Sequence, residues 1–166
     1  MNSHLERLRQ ELESVTSGLS QDALNRDAAG KWTAAQVLEH LYLTYKNTNK
    51  AIAKCLAAGG PLGTRATIKN RFGKMLVLGL GYLPGGAKAP ERVVPRGTPS
   101  DEVQASIFTE LQNMDASLDE CERRFGAAAK IMDHPLLGPF SADEWRRFHW
   151  VHGRHHVRQI RDRARK

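Results

Sequence analysis

The stretch from Ser141 to Ile160, SADEWRRFHWVHGRHHVRQI, constrains this chain most, because it reads as a helix with imidazoles on its inward face where leucines would usually stand. Ser141 followed three residues later by Glu144 forms a capping box, which starts a helix there. At the helical step of 100°, Trp145, His152, His156 and Arg163 fall nearly in line, flanked by Phe148, His149, Gln159 and Ile160. Arg146, Arg147, Arg154, Arg158 and Arg161 fall on the opposite side and predict a solvated basic face. Buried ring nitrogens need partners, so such a helix must be enclosed by others that supply them. His152 and His156 are i and i+4, and both rings can reach one ion; His149, a turn earlier, is a pocket residue or an alternative ligand.

The remaining chain supplies those neighbours. Leu5, Leu8, Leu12, Val15 and Leu19 step by three and four, predicting a first amphipathic helix that stops near Gly18. Residues 20 to 31 read as a connection. Thr33 and Gln36 form a second capping box, followed by the apolar stripe Val37, Leu38, Leu41, Tyr45, Ile52, Cys55 and Leu56, and Gly59-Gly60-Pro61 ends that helix. Ser100 is the expected cap of a third long helix, in which Val103, Ile107, Leu111, Met114, Leu118, Cys121 and Phe125 keep the spacing of near-parallel bundle packing. Between the second and third long helices, residues 64 to about 78 predict a short helix with Ile68, Phe72, Met75, Leu76 and Leu80 turned inward. Loops follow at 84–90 and 95–99. This 60–100 excursion is read as a pocket wall or an oligomer contact. Residues 126 to 140 read as a connection, and no strand pattern stands out. The expectation is an all-α four-helix bundle with an inserted short helix and loops between the second and third long helices, one domain over 1–166.

Composition bounds the rest. Hydrophobic content of 40% and charged content of 26% suit a globular protein. No apolar run approaches the roughly 20 residues of a membrane span, and the N-terminus lacks a signal peptide's apolar segment. A cytoplasmic location with no membrane partner is expected. Cys55 and Cys121 sit in apolar helical patterns and are read as buried free thiols. The net charge of +7 would permit contact with polyanions, but no nucleic-acid-binding motif accompanies it, so nucleic acid is not expected as a partner.

A third nitrogen would complete the site, and His40 is the best candidate, being the sole histidine of the second helix in a fold that builds metal sites from facing helices. Three neutral imidazoles leave a divalent ion its full charge and an open position. Zn²⁺, Ni²⁺, Co²⁺ or Fe²⁺ would all be held this way. His152 is followed by Gly153, so the glutamate base of the zincin proteases is missing. His155, at the edge of the face, is read as a supporting or dimer-contact residue. His134, preceding Pro135, either reaches the pocket mouth or is a turn residue with its ring in solvent. Trp32 and Trp145 are read as core anchors.

Two pieces, Trp32-Thr-Ala-Ala-Gln-Val-Leu-Glu-His40 and Val151-His-Gly-Arg-His-His-Val-Arg-Gln159, resemble the DinB/YfiT-like superfamily of four-helix metal-binding proteins. The segment His134-Pro-Leu-Leu-Gly138 is similar to a subgroup with His-Pro-x-x-Gly before the last helix. The resemblance implies His40, His152 and His156 as ligands of a divalent transition metal (zinc, nickel or iron), and a homodimer by family habit. Relatives include S-transferases and isomerases using bacillithiol or mycothiol, and metal-binding domains of ergothioneine-type sulfoxide synthases. A low-molecular-weight thiol cofactor therefore becomes an expectation. The leading reading is a metal-dependent enzyme, S-transferase-like or hydrolase-like, acting on a small-molecule substrate, with His149 or His134 transferring a proton. The rival is a non-catalytic metal-binding stress or interaction module with a basic face.

Overall fold

The structure, a computed structural model, describes residues 3–83 and 88–165. The expected loop at 84–90 falls partly outside these residues, at 84–87. Four long helices dominate: α1 (Ser3–Thr16), α3 (Ala34–Ala58), α5 (Ser100–Phe125) and α6 (Ala142–Ala164). Two short ones accompany them, α2 (Gln21–Asn25) and α4 (Ile68–Lys74), the latter running on into a π-helical turn at Met75–Gly79. The apolar positions picked out by 3-4 spacing form the interior, with Leu5, Leu8, Leu12, Leu38, Leu41, Ile52, Leu111 and Leu118 wholly buried. Both long-helix capping boxes form: Thr33 with Gln36 opens α3, and Ser141 with Glu144 opens α6. Gly59, with φ of 71°, closes α3 in the left-handed conformation that glycine adopts freely.

Side-chain contacts give the helix directions. His40 meets His156 while Tyr45 meets His149, so α3 and α6 are antiparallel. Glu39 meets Thr98 just ahead of α5, Asn49 meets Glu110, and Leu56 meets Arg124, so α3 and α5 are parallel. Leu8 lies against Gly153, and Arg161 shares a groove with Gln10 and Ser14, so α1 runs parallel to α6. A parallel α3–α5 pair requires a crossover the length of the bundle. Residues 59 to 99 provide it, which explains why the sequence spends so many residues there.

The crossover departs from expectation. Thr67 and Asn70 form their own capping box, so α4 starts at Ile68. Ile68, Phe72, Met75 and Leu80 face solvent, and Val77 and Leu78 are the residues that turn inward. The reason lies on the opposite side of α4. Gly73 packs on Leu137, the Asn70 side chain lies against Gly138, and Lys74 donates to the Pro139 carbonyl and to Glu144 at 3.0 Å. The surface those residues grip is a feature the sequence reading missed, a hairpin of β1 (Met132–His134) and β2 (Gly138–Phe140). Leu62 and Gly63 extend it by donating to Ile131 and Lys130. Strands of three residues are too short for alternation to register.

Two other corrections concern helix ends and faces. Pro99 occupies the N-cap of α5, and the Ser100 hydroxyl instead donates to Gln21 of α2. Arg146, expected on the solvated basic face, is 2% exposed and grips three carboxylates of α5: Asp115 at 2.9 Å, Glu122 at 2.7 Å, and Asp119. Helix α6 is packed on three sides, so a position turned away from the histidines meets α5 before it meets water. Cys55 and Cys121 are buried and unbridged. No helix among the described residues is long and apolar enough to cross a membrane.

Candidate metal centre

The antiparallel contact of α3 and α6 brings together the only histidine of α3 and the i, i+4 pair of α6. One nitrogen each from His40, His152 and His156 lies within 4.8 Å of the others. The Nε2 of His152 is 3.1 Å from that of His156 and 3.5 Å from that of His40. The far sides of two rings are anchored. His40 Nδ1 donates to the Val93 carbonyl at 2.8 Å, and His156 Nδ1 donates to Gln159 Oε1 at 2.9 Å. Those bonds place the protons on Nδ1 and leave both Nε2 lone pairs aimed at a common point. The Gln159 amide is fixed in turn by donating from Nε2 to His155 Nε2 at 3.0 Å, so His155 supports the cluster through Gln159.

Two lone pairs facing each other repel, and His152, with a single N–H at Nε2, can satisfy only one of them. A cation at the shared point satisfies all three, so the donor set fits a divalent transition metal. Ring orientation held from behind is the usual companion of such ligation. Protonation does not compete near neutral pH. Burial depresses His40 below its ordinary value against a smaller opposing effect of the Val93 carbonyl. It pushes His156 down to about 3 and holds His152 well below the normal range, with repulsion among the rings adding to both. Neutral imidazoles are the ligating form.

Around the triad stands an aromatic wall. Trp32 packs on His40 with centroids 5.2 Å apart, and Phe148 stacks on His152 at 5.4 Å. His149 is fully buried between Trp145, stacked at 5.7 Å, and Tyr45, edge-on at 5.5 Å. Both ring nitrogens of His149 lack a hydrogen-bond partner, as do Tyr45 Oη, Trp145 Nε1 and His152 Nδ1. Burial drives the His149 pKa down to about 3 and raises that of Tyr45 far above its ordinary value. His134 is a turn residue, but its ring does not lie in solvent. Its ring packs among Phe140, Trp145 and Phe148, and its Nδ1 accepts the amides of Leu136 and Leu137 at 3.2 Å, closing the hairpin turn. Burial lowers its pKa to about 4.

Sequence reasoning missed Val93, whose contribution is a backbone carbonyl and leaves no trace in residue type. The motif ending at Gln159 was visible, but the role of its amide was not. A groove of about 370 Å³ opens away from the histidines, between the starts of α3 and α5. Its buried carboxylate, Glu39, already accepts the amides of Arg96, Gly97 and Thr98 and the Thr98 hydroxyl. The histidine cluster, with unmet lone pairs, is therefore the stronger chemical site.

Comparison with curated proteins and with solved structures gives no match. The family model of the DinB superfamily matches residues 4–160, a span that takes in His40, His152, His156 and the crossover, and the chain belongs to that superfamily.

Proposed function

We propose that the protein binds a divalent transition metal through Nε2 of His40, His152 and His156 and acts as a metal-dependent enzyme on a small molecule, in the manner of a thiol S-transferase or a hydrolase. The observation that carries this reading is the convergence of three Nε2 atoms, with the His40 and His156 rings held from behind by Val93 and Gln159. When bound, such an ion supplies a positive charge with an open coordination position, which favours the deprotonated form of a thiol or water. The chain's own residues do the rest. Val93 and Gln159 fix the tautomers of His40 and His156, so those two donor atoms need no reorganisation. Trp32 and Phe148 flank the rings with apolar surface that excludes water. His149 is the proton carrier. Its two ring nitrogens have no hydrogen-bond partner, so the neutral ring that burial maintains can accept a proton at one nitrogen as it donates from the other. His134 has its acceptor nitrogen committed to the hairpin turn, so its part would be to donate from Nε2.

Elemental analysis of untagged protein beside His152→Ala is the first test. A roughly stoichiometric transition metal, lost in the variant, is expected. Turnover of electrophiles with low-molecular-weight thiols, or of hydrolysable esters and amides, should then disappear in His156→Ala together with the metal. Activity retained in a demonstrably metal-free variant refutes the enzyme reading. The competing reading, a metal that only pins α3 to α6, draws on the enclosure of His40 and His156, which are 5% and 8% exposed. It predicts that metal removal lowers the melting temperature and that no substrate turns over.

A further inference from the structure

Among the described residues, most of the exposed large apolar side chains lie on the crossover. Ile68 is 88% exposed, Leu80 71%, Phe72 60%, Tyr82 59% and Met75 52%, and Leu136 at the adjoining hairpin tip is 71% exposed. Ile68, Phe72 and Met75 are spaced i, i+4, i+7, so they form one stripe along α4 and its π-helical continuation. Asn70, Gly73 and Lys74 hold the opposite side on the hairpin, which fixes the stripe outward. Isolated exposed apolar residues are ordinary, but a contiguous row of this size on a monomer marks an interaction surface.

Charge identifies the partner. From residue 61 to residue 90 the sequence has no Asp or Glu, while it has Arg65, Lys69, Arg71, Lys74 and Lys88. Lys69 and Arg71 flank the stripe on its two sides, and both are exposed, as is Arg65. Of the acids on neighbouring elements, Asp133 accepts from Thr64 and Glu144 is held between Lys74 and Lys130. A two-fold contact between copies would set these like-charged rims against each other. An apolar ridge edged by long cationic side chains matches instead a surface that is apolar inside and anionic at its boundary.

We propose that the α4 face is a docking surface for an anionic phospholipid membrane, on which Ile68, Phe72, Met75 and Leu80 enter the acyl boundary while Arg65, Lys69 and Arg71 meet the headgroups. The absence of a spanning helix does not bear on such peripheral contact, and the inference is independent of the metal reading. The full-length protein is sedimented with vesicles of phosphatidylglycerol and phosphatidylcholine, and with vesicles of phosphatidylcholine alone. Binding to the anionic vesicles that weakens with added salt is expected. The pair Ile68→Ser and Phe72→Ser should weaken it at least tenfold, and Lys69→Glu or Arg71→Glu by about fivefold or more each. These positions are exposed, so unchanged helical melting confirms that the variants fold. No binding at low salt, or equal binding to neutral vesicles, overturns the proposal. A concentration-dependent dimer that Phe72→Ser dissociates also overturns it, because a second copy would then be the occupant.

Discussion

Replacing His149 by Phe isolates one buried imidazole and gives the sharpest quantitative test of the interior. His149 is wholly buried, and burial holds its pKa at about 3 against an ordinary value of 6.5, with a smaller repulsion from His134. Its folded-state pKa is depressed, so between pH 6.5 and about 3 the unfolded chain binds this proton and the folded chain does not. The stabilising effect of keeping the ring neutral is complete above pH 6.5 and is lost as pH falls toward the folded value. Well inside that window each pH unit removes about 1.4 kcal/mol per proton, so moving from pH 6.5, where the unfolded ring is half protonated, to 4.5 costs about 2.3 kcal/mol from His149 alone. In a domain whose total stability is on the order of 5–15 kcal/mol, that is a large share. Phenylalanine keeps an aromatic ring between Trp145 and Tyr45 and removes two buried nitrogens that have no partner. The variant should therefore match or exceed the parent near pH 7 and lose stability more slowly on acidification, by about 1.4 kcal/mol per pH unit. Urea unfolding followed by circular dichroism from pH 7 to 4.5 measures both quantities. Equal slopes in parent and variant would refute the assignment of His149 as a buried neutral ring.

Three further substitutions test other joints of the structure. Arg146→Met removes the guanidinium that ties Asp115, Asp119 and Glu122 of α5 to α6, and should destabilise the fold by about 1.5–3 kcal/mol in urea titration. Gly153→Ala places a methyl group inside the packed side chain of Leu8, which is fully buried, and should cost about 1–3 kcal/mol by thermal melting, relieved by Leu8→Ala only at the expense of a new cavity. Gln159→Leu removes the acceptor for His156 Nδ1 without touching a ligand, and should weaken metal affinity about 10- to 100-fold in a competition titration with a chelating dye, while helical content stays unchanged.

How much of this was legible in the sequence depends on whether a residue's role follows from its own helix or from a neighbour's. The four long helices were readable because their apolar stripes and capping boxes are local, and the proximity of His40 to His152 and His156 followed once two facing helices were expected. Arg146 shows the limit. Its angle on α6 is correct, but whether that direction meets water or α5 is a property of the assembly. A signal did exist on the partner helix. Asp115, Asp119 and Glu122 lie at i, i+4 and i+7 directly beside the core positions Met114, Leu118 and Cys121, and such an acidic row along a seam calls for a buried cation. The orientation of α4 was illegible for a similar reason. Its apolar stripe was assigned to the core by default, whereas Asn70, Gly73 and Lys74 were the residues matched to a surface, and that surface was a hairpin too short to be seen.

The crossover joins these observations. Because α3 and α5 are parallel, the chain must travel back along the bundle between them, and it does so over the face of α3 that carries His40. Arg92 and Val93 lie against that face, with the Val93 carbonyl on the His40 ring and the Arg92 carbonyl on Asn47. The return ends with three consecutive amides, of Arg96, Gly97 and Thr98, closing on Glu39, the residue next to His40. Three amides and a hydroxyl outweigh the burial of this carboxyl and hold it ionised, so the strap is fastened electrostatically one residue from a candidate ligand. The topology thus does more than connect helices. It brings the crossover's backbone to the outer nitrogen of His40, and the same segment that appeared structureless in sequence fixes the tautomer on which the three-nitrogen cluster depends.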